Sequence, residues 1–262
     1  MFNVTNKTKI IAVAIHKGGS GKTQTALEMA TFQAKLGKKV LVVDTDSQAN
    51  LTDILLNGTT CKGRRLPDII IENRGIDAQD IMTRTLCGAN IDFICNNANA
   101  ARIESKLPSN GSPKEYILVD LIQPLREHYD IIIIDTPPAA ELLSMSSLLL
   151  ADYVIITALA DALSLAGTES TMRLINVIQN NPRLNPNLKI LGIIIGRYHN
   201  TKINAYYLQT FQQNYRGLVL DPRVRECTKV QQAVKAKCPV ILYDPKCIAA
   251  IDFKSVFSNL KL

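Results

Sequence analysis

The chain contains the stretch Lys17-Gly18-Gly19-Ser20-Gly21-Lys22-Thr23 between an apolar run at residues 10–15 and a helix-like run at residues 24–36. A strand, a glycine-rich turn and a helix in this order form a cradle for phosphate groups. The glycines let backbone N–H groups turn toward the phosphates, and the N-terminus of the helix adds its partial positive charge. Lys22 can then reach the terminal phosphates and the Thr23 hydroxyl can bind Mg²⁺.

This loop departs from the common phosphate-binding loop at its start. His16 stands where the common pattern has its first glycine, and a second lysine, Lys17, follows it. An ordinary turn between a strand and a helix is the alternative interpretation of a glycine-rich segment. The strand before the loop and the helix after it are the context that favours the phosphate-binding interpretation.

The composition bounds the remaining possibilities. A chain of 262 residues with 47% apolar content can bury a full hydrophobic core. Its apolar runs are far shorter than the ~20 residues of a membrane-spanning helix, and its first nine residues do not resemble a signal peptide. The six cysteines form no metal-binding pattern, which favours free thiols in a reducing cytoplasm. The net charge of +7 is compatible with a polyanionic partner, but many basic proteins bind no nucleic acid.

Apolar strand-like segments alternate with helix-like segments along the chain. Repeated strand–helix units predict an α/β fold, a mainly parallel twisted sheet with helices on both faces, in a single domain over residues 1–262. Residues 57–90 are the least readable part, with a weak helical pattern at 77–86, and residues 108–113 are typical of a loop. Further strands are predicted at 40–44, 91–95, 131–134, 154–158, 188–195 and 240–242, and further helices at 114–128, 163–179, 202–215 and 252–260.

Three aspartates end predicted strands or follow them closely: Asp44, Asp46 and Asp135. Ligands bind at the carboxyl ends of the strands in a sheet of this kind. Beside a phosphate-binding loop, one carboxylate can hold Mg²⁺ while another orients a water molecule. The alternative is that these residues only cap loops, because aspartate is common in turns.

Four segments together resemble the ParA/MinD family of deviant Walker ATPases. Residues 17–23 are similar to the family's K-G-G-x-G-K-T loop, and residues 44–48 are similar to its D-x-D-P-Q segment, with Ser47 in place of proline. Residues 130–138, D-I-I-I-I-D-T-P-P, resemble its Walker B strand, and residues 232–245 resemble the ParA branch in particular. The resemblance implies a P-loop ATPase domain of the short form, without an N-terminal DNA-binding extension.

The resemblance also implies ATP and Mg²⁺ as cofactors and an ATP-dependent homodimer. In the family the signature lysine, here Lys17, crosses to the partner's phosphates, while Lys22 binds the β- and γ-phosphates and Asp46 positions the attacking water. Thr23, Asp44 and Asp135 would then hold the metal. The remaining implied nucleotide contacts are Gly18, Gly19, Ser20, Gly21, Gln24 and Thr25 around the phosphates, with Arg197, Val224 and Arg225 near the adenine.

Members of the ParA branch bind double-stranded DNA without sequence preference and respond to a ParB-like centromere-binding protein, which implies a cytoplasmic, nucleoid-associated protein. Such binding uses lysine and arginine contacts to phosphates. An isolated surface lysine or arginine is more often simply solvated. The candidates for this interface are Lys202, Arg223, Lys229 and Lys235, with Arg197, Arg225 and Lys237 nearby in sequence.

Two other functional classes stay open at this level. A MinD-like ATPase that cycles on a membrane would need a terminal amphipathic helix, and residues 252–262 have a weak pattern of this kind. A helix that closes the domain is the favoured interpretation of that segment, so no membrane partner is expected. A member that carries an iron–sulfur cluster ranks last, because no cysteine pair has convincing ligand spacing.

Overall fold

A computed structural model describes residues 8–107, 113–138 and 141–260. The predicted loop at 108–113 therefore lies almost wholly outside the described residues. Within them, the strands are β1 (Lys9–Ala14), β2 (Val40–Asp44), β3 (Ile81–Leu86), β4 (Ala89–Ile94), β5 (Ile131–Asp135), β6 (Tyr153–Leu159) and β7 (Lys189–Gly196).

These strands form one sheet, whose order across the described residues is β3-β4-β2-β5-β1-β6-β7. All neighbouring pairs are parallel except β3 and β4, which form an antiparallel hairpin at one edge. The described helices are α1 (Lys22–Lys35), α2 (Asn50–Leu56), α3 (Leu66–Glu72), α4 (Ile103–Lys106), α5 (Ile117–Ile122), α6 (Leu142–Leu150), α7 (Ala162–Asn180), α8 (Lys202–Asn214), α9 (Thr228–Lys235), α10 (Val240–Tyr243) and α11 (Ile248–Ser258).

Both faces of the sheet are covered by helices, which explains the continuous apolar runs of the central strands. In β1, Ile10 and Ala12 lie in the core shared with α5, α6 and α7. Ile11 and Val13 point to the opposite face, into the core formed with α1, α10 and α11. The predicted α/β class and the mainly parallel sheet are confirmed.

The weak helical pattern at residues 77–86 does not correspond to an α-helix in the structure. The segment contains a single 3₁₀ turn, Ala78–Asp80, and then the edge strand β3. Cys87 and Gly88 both have positive φ, 48° and 81°, and connect β3 to β4 in a two-residue hairpin. Such a turn matches the twist of paired strands, so the chain forms a hairpin there and not a helix.

Two other predicted elements also differ from the structure. Residues 240–242 are not a strand but the start of α10, which Pro239 precedes at the N-cap. The predicted helix at 114–128 is broken into a 3₁₀ turn, α5 and a second 3₁₀ segment, Gln123–His128. Pro124 lies at the start of that last segment, where its missing N–H and its ring are incompatible with a continuing α-helix.

The buried carboxylate of Glu28 explains why α10 begins where it does. Glu28 lies in α1 with no exposed surface, and its oxygens accept the backbone N–H groups of Val240 at 2.6 Å and Ile241 at 3.1 Å. Gln24, one turn earlier in α1, donates its side-chain amide to the same carboxylate. Glu28 therefore joins the helix of the phosphate-binding loop to the C-terminal part of the chain.

We expect the free energy of unfolding to fall less steeply with rising pH in Glu28→Gln than in the wild type. Burial raises the pKa of Glu28 from 4.5 to about 7, although its three hydrogen-bond donors oppose the shift. The folded state therefore binds more protons than the unfolded chain between these values, and its free energy of unfolding falls as the pH rises through them. A shift of this size corresponds to about 3 kcal/mol in the free energy of unfolding.

Urea unfolding of both proteins at pH 5, 6, 7 and 8 measures this difference. Glu169→Gln is the matched control, because Glu169 is exposed on α7 and its ion pair among the described residues is with Arg173, one turn away. Equal pH slopes in the wild type and Glu28→Gln would contradict the assignment of a raised pKa to Glu28.

Candidate nucleotide site

The loop between β1 and α1 has the backbone conformation that a phosphate cradle needs. Gly19 has φ 73°, and Gly21, which is the N-cap of α1, has φ 90°. No atom would lie within 4 Å of a Cβ added at either glycine. Glycine is therefore favoured at both positions by the left-handed backbone and not by crowding. Ser20 is buried at the centre of the loop, with its hydroxyl 3.2 Å from that of Thr157 on β6.

The two lysines of the loop have different surroundings. Lys22 is 6% exposed, and its ammonium donates to the Lys17 carbonyl at 3.3 Å, across the mouth of the loop. Burial lowers the pKa of Lys22, while Asp135 and Asp46 partly oppose this shift. Phosphate oxygens in the cradle would supply the negative charge that a buried ammonium lacks. The Lys17 ammonium instead binds Asp161 at the start of α7, 2.9 Å from the nearer carboxylate oxygen.

Asp135 ends β5 beside the loop and is 1% exposed. Among the described residues, neither of its carboxylate oxygens has a hydrogen-bond partner of normal geometry. Burial and the neighbouring Asp44 raise the pKa of Asp135 well above its usual range, and nearby Thr23 and Lys22 oppose this only in part. A buried carboxylate without partners fits a Mg²⁺ site, since Mg²⁺ takes oxygen ligands and would compensate the negative charge. Thr23 and Asp135 fit such a site, and their roles as metal ligands stay predictions.

Asp44 has a second, structural use in this fold. One of its carboxylate oxygens accepts the backbone N–H and the hydroxyl of Thr52 in α2, at 2.9 and 2.8 Å, and the other accepts the Asp46 N–H at 3.2 Å. Burial raises the pKa of Asp44 to about 6 despite these hydrogen bonds. The carboxylate therefore anchors α2 to the end of β2, as the loop-capping alternative expects, and its role as a metal ligand stays a prediction.

Asp46 is half-buried and lines the cavity in front of the phosphate loop. Its carboxylate accepts the Gln48 N–H at 3.0 Å, and its own carbonyl accepts the side-chain amide of Asn96 at 2.7 Å. Asn96 is fully buried just after β4 and was not identified from the sequence. Its place directly after a predicted strand, on the same edge as the aspartates, is the signal that could have identified it.

A cavity of about 710 Å³ joins the predicted phosphate and adenine positions. Its size falls in the range of small-molecule and cofactor sites. The residues predicted from the sequence that line it are Gly18, Gly19, Ser20, Gly21, Lys22, Thr23, Gln24, Thr25, Asp46, Arg197, Val224 and Arg225. Segments 180 residues apart in the chain thus meet at one site, and the part played by each residue stays a prediction.

The two arginines of the predicted adenine side are held by acidic residues. Arg225 donates to Asp252 of α11 through its backbone at 3.0 Å and its guanidinium at 2.8 and 2.5 Å. Arg197, at φ 48°, pairs with Glu226 at 3.2 Å and keeps 58% of its side chain exposed. These ion pairs fix the rim of the cavity.

The predicted DNA-contacting residues divide into paired and unpaired groups. Lys202, Lys229 and Lys235 form no ion pair within the described ranges. Arg223 lies over the Tyr198 ring at 4.9 Å, and Lys237 pairs with Asp53 of α2 at 2.8 Å. In α9, Lys235 is exposed and Lys229 is half-buried, while Lys237, two residues after the helix, is bound to Asp53 of α2 on the nucleotide side of the molecule.

Two further observations concern the functional alternatives. In the described part of the chain, no helix is long and apolar enough to cross a membrane. All six cysteines are free thiols.

Comparisons with known proteins agree with this site. Residues 8–190 match the model of the AAA domain family AAA_31. The chromosome partitioning protein ParA of Caulobacter vibrioides is 27% identical over 245 residues, covering 92% of this chain and 90% of the relative. The sporulation initiation inhibitor protein Soj of Bacillus subtilis is 29% identical over 239 residues, covering 91% and 92%.

A solved structure extends the likeness to three dimensions. Cobyrinic acid a,c-diamide synthase from Mycobacterium smegmatis, with a bound ATP analogue and magnesium, has a TM-score of 0.80 at 25% sequence identity. The match covers 96% of this chain and 93% of that one. The chain belongs to the AAA domain family and, within it, to the ParA-type P-loop ATPases of partition or positioning.

Proposed function

We propose that this protein is a partition ATPase that dimerises with ATP and Mg²⁺, binds DNA without sequence preference in that state, and is stimulated by a ParB-like centromere-binding protein. The observation that carries the proposal is the buried carboxylate of Asp135, which has no hydrogen-bond partner among the described residues and lies beside a glycine loop that opens onto a nucleotide-sized cavity. A bound nucleotide would fill the cavity, and its metal ion would compensate the negative charge of the Asp135 carboxylate. The similarity to the chromosome partitioning protein ParA of Caulobacter vibrioides supports the partition role.

Each residue of the site has a definite task in this proposal. Backbone N–H groups of residues 18–23 and the Lys22 ammonium bind the phosphates, while Thr23 and Asp135 hold the metal. Mg²⁺ supplies charge neutralisation at the β- and γ-phosphates when it is bound. Asp46 orients the attacking water, and Asn96 fixes the backbone of Asp46.

Lys17 acts on the partner's nucleotide in the dimer. Lys22 already occupies the cradle of its own subunit, and the Lys17 ammonium is bound elsewhere. A positive charge delivered by the partner would neutralise the transferring phosphate group only when two ATP-bound subunits meet, as an arginine finger does. This arrangement makes hydrolysis conditional on dimerisation.

Contacts between α2 and α9 support a connection between the nucleotide and the proposed DNA surface. Val230 and Val234 of α9 line the nucleotide cavity. At the end of α9, Lys237 pairs with Asp53 of α2, and Arg84 donates both to the Ile54 carbonyl at 2.6 Å and to the Lys237 carbonyl at 2.9 Å. The helix α2 is in turn anchored to Asp44, next to the Asp46 loop. In the proposed cycle, these contacts would pass a movement of that loop on nucleotide binding to α9 and its lysines.

The membrane-cycling alternative receives less support from the C-terminal helix. Phe253, Val256 and Phe257 of α11 are buried against α1 and α10 in the core. The apolar face that these three residues form is already buried and is therefore not available to a bilayer, although Ile248 and Ile251 of the same helix are exposed. The prediction of a closing helix agrees with this packing over residues 248–258.

We expect DNA binding to require ATP and to fall at least about tenfold in Lys229→Glu, because one phosphate contact per subunit becomes repulsive and the dimer doubles the effect. A gel-shift titration with ATP and Mg²⁺ at two salt concentrations measures the affinity, and light scattering measures the dimer. Lys189→Glu is the matched control: it makes the same charge change on an exposed residue at the start of β7, away from the nucleotide end of the sheet.

DNA binding that is equally tight without nucleotide would contradict the proposed cycle. Equal affinity of the wild type and the Lys229→Glu dimer would instead place the DNA surface away from α9. Retention on anionic liposomes with ATP, in the absence of DNA binding, would favour the membrane alternative.

A further inference from the structure

The start of the phosphate loop rests on a stripe of small and polar residues along α7. The stripe comprises Asp161, Ser164, Gly167 and Thr171, spaced three to four residues apart, so these side chains share one helix face. A Cβ on Gly167 would lie 3.2 Å from the His16 carbonyl, and so the loop approaches α7 as closely as glycine permits. The backbone N–H of His16 donates to the Thr171 hydroxyl at 3.0 Å.

The Lys17 side chain is bound at the N-terminal end of this stripe. Its ammonium donates to both carboxylate oxygens of Asp161, at 3.0 and 2.9 Å, and to the Ser164 hydroxyl at 3.0 Å. All three donor positions of the ammonium thus have an acceptor on α7. Only 19% of the Lys17 side chain is exposed, against 40% for Asp161.

Asp161 is itself held in place for this contact. It is the N-cap of α7 and accepts the Ser164 N–H at 2.6 Å. Burial alone would raise the pKa of Asp161, but the hydrogen bonds from Lys17 and Ser164 hold it below its ordinary value. The carboxylate is therefore ionised and oriented toward Lys17 of its own subunit.

We infer that Asp161 and Ser164 form a seat that retains Lys17 on its own subunit, so that the lysine must leave this seat before it can reach a partner's phosphates. This inference rests on the proposed role of Lys17 in the dimer. The seat acts as an autoinhibitory contact: it opposes dimerisation and hydrolysis until ATP-bound partners meet. Two seats must open for each dimer formed. Asp161 is in this sense a positioning residue that acts through Lys17.

The test is Asp161→Asn, which removes the charge but keeps a side chain that caps helices as well as aspartate does. We expect the ATP-driven dimer to form at roughly tenfold lower protein concentration, since two ion pairs are weakened for each dimer. Basal hydrolysis at low protein concentration should rise with it. Glu169→Gln, an equal charge change elsewhere on α7, should alter neither quantity.

Two further measurements distinguish the release of Lys17 from a general structural effect of Asp161→Asn. In the Lys17→Ala background, Asp161→Asn should no longer promote dimerisation, because the lysine that the seat retains is gone. Reductive methylation of the nucleotide-free protein, read by mass spectrometry, should label Lys17 roughly fivefold faster in Asp161→Asn than in the wild type. This labelling does not depend on dimerisation or on the proposed function.

Equal labelling of Lys17 in the two proteins would overturn the inference, because the contact would then not exist in solution. Weaker dimerisation of Asp161→Asn would also overturn it and would show that Asp161 stabilises the dimer. If no variant formed a dimer with ATP, the proposed function would be contradicted, and with it the autoinhibitory role of the seat. Faster labelling of Lys17 in Asp161→Asn would still show that Lys17 contacts Asp161.

Discussion

We expect Lys22→Ala to lose ATP binding, with at least about a hundredfold drop in affinity. Lys22 is the buried positive charge of a preorganised cradle, and the phosphates would lose their principal countercharge with it. The fold should survive the change, because burial disfavours the charged form of Lys22 and no carboxylate pairs with it in the described structure. Isothermal titration calorimetry with ATP and Mg²⁺ measures the affinity, and thermal unfolding confirms the fold.

Lys38→Ala is a suitable control for this prediction. Lys38 lies just after α1, at the opposite end of the helix from the phosphate loop, and is not among the residues that line the cavity. It should bind ATP as the wild type does. ATP binding by Lys22→Ala with unchanged affinity would show that residues 17–23 are not the phosphate site.

Asp46→Ala should slow ATP hydrolysis by about 10²- to 10⁴-fold, the usual contribution of a group that positions or activates water. Binding of ATP and Mg²⁺ should change little, because the cradle and the buried Asp135 carboxylate remain. Hydrolysis leads to dissociation of the dimer in the proposed cycle. The variant should therefore accumulate as an ATP-bound dimer. Phosphate release and light scattering measure the two effects.

Asp53→Ala tests whether any carboxylate on this side of the cavity would have the same effect. Asp53 also lines the cavity, but its carboxylate pairs with Lys237. We expect this variant to keep its basal hydrolysis. Normal hydrolysis by Asp46→Ala would assign the positioning of water to another residue.

The sequence predicts best where a local pattern is sufficient. The four isoleucines of β5 and the run in β1 are buried on both faces, and their continuous hydrophobicity indicates this directly. The proposed phosphate loop is equally local, since its glycines, Lys22 and Thr23 lie within seven residues. For this reason the α/β fold could be predicted, and the loop between β1 and α1 has the backbone conformation that the prediction of a phosphate cradle requires.

Contacts between distant segments could not be predicted in this way. The helix α10 depends on Glu28, 212 residues earlier in the chain, and its short apolar sequence alone is equally typical of a strand. The contact of Lys17 with Asp161 spans 144 residues, and that of Asn96 with Asp46 spans 50. The role of Asp44 was ambiguous for the same reason, because only the fold brings Thr52 to its carboxylate.

Mixing Lys17→Ala with Asp46→Ala protein tests the central claim most directly. Each variant alone should hydrolyse ATP poorly. In a mixed dimer, the site with an intact Asp46 belongs to the Lys17→Ala subunit and receives Lys17 from its Asp46→Ala partner. The account predicts that hydrolysis recovers in the mixture, toward one active site per mixed dimer. No recovery, with mixed dimers shown to form by fluorescence energy transfer between labelled subunits, would contradict a lysine that acts across the interface.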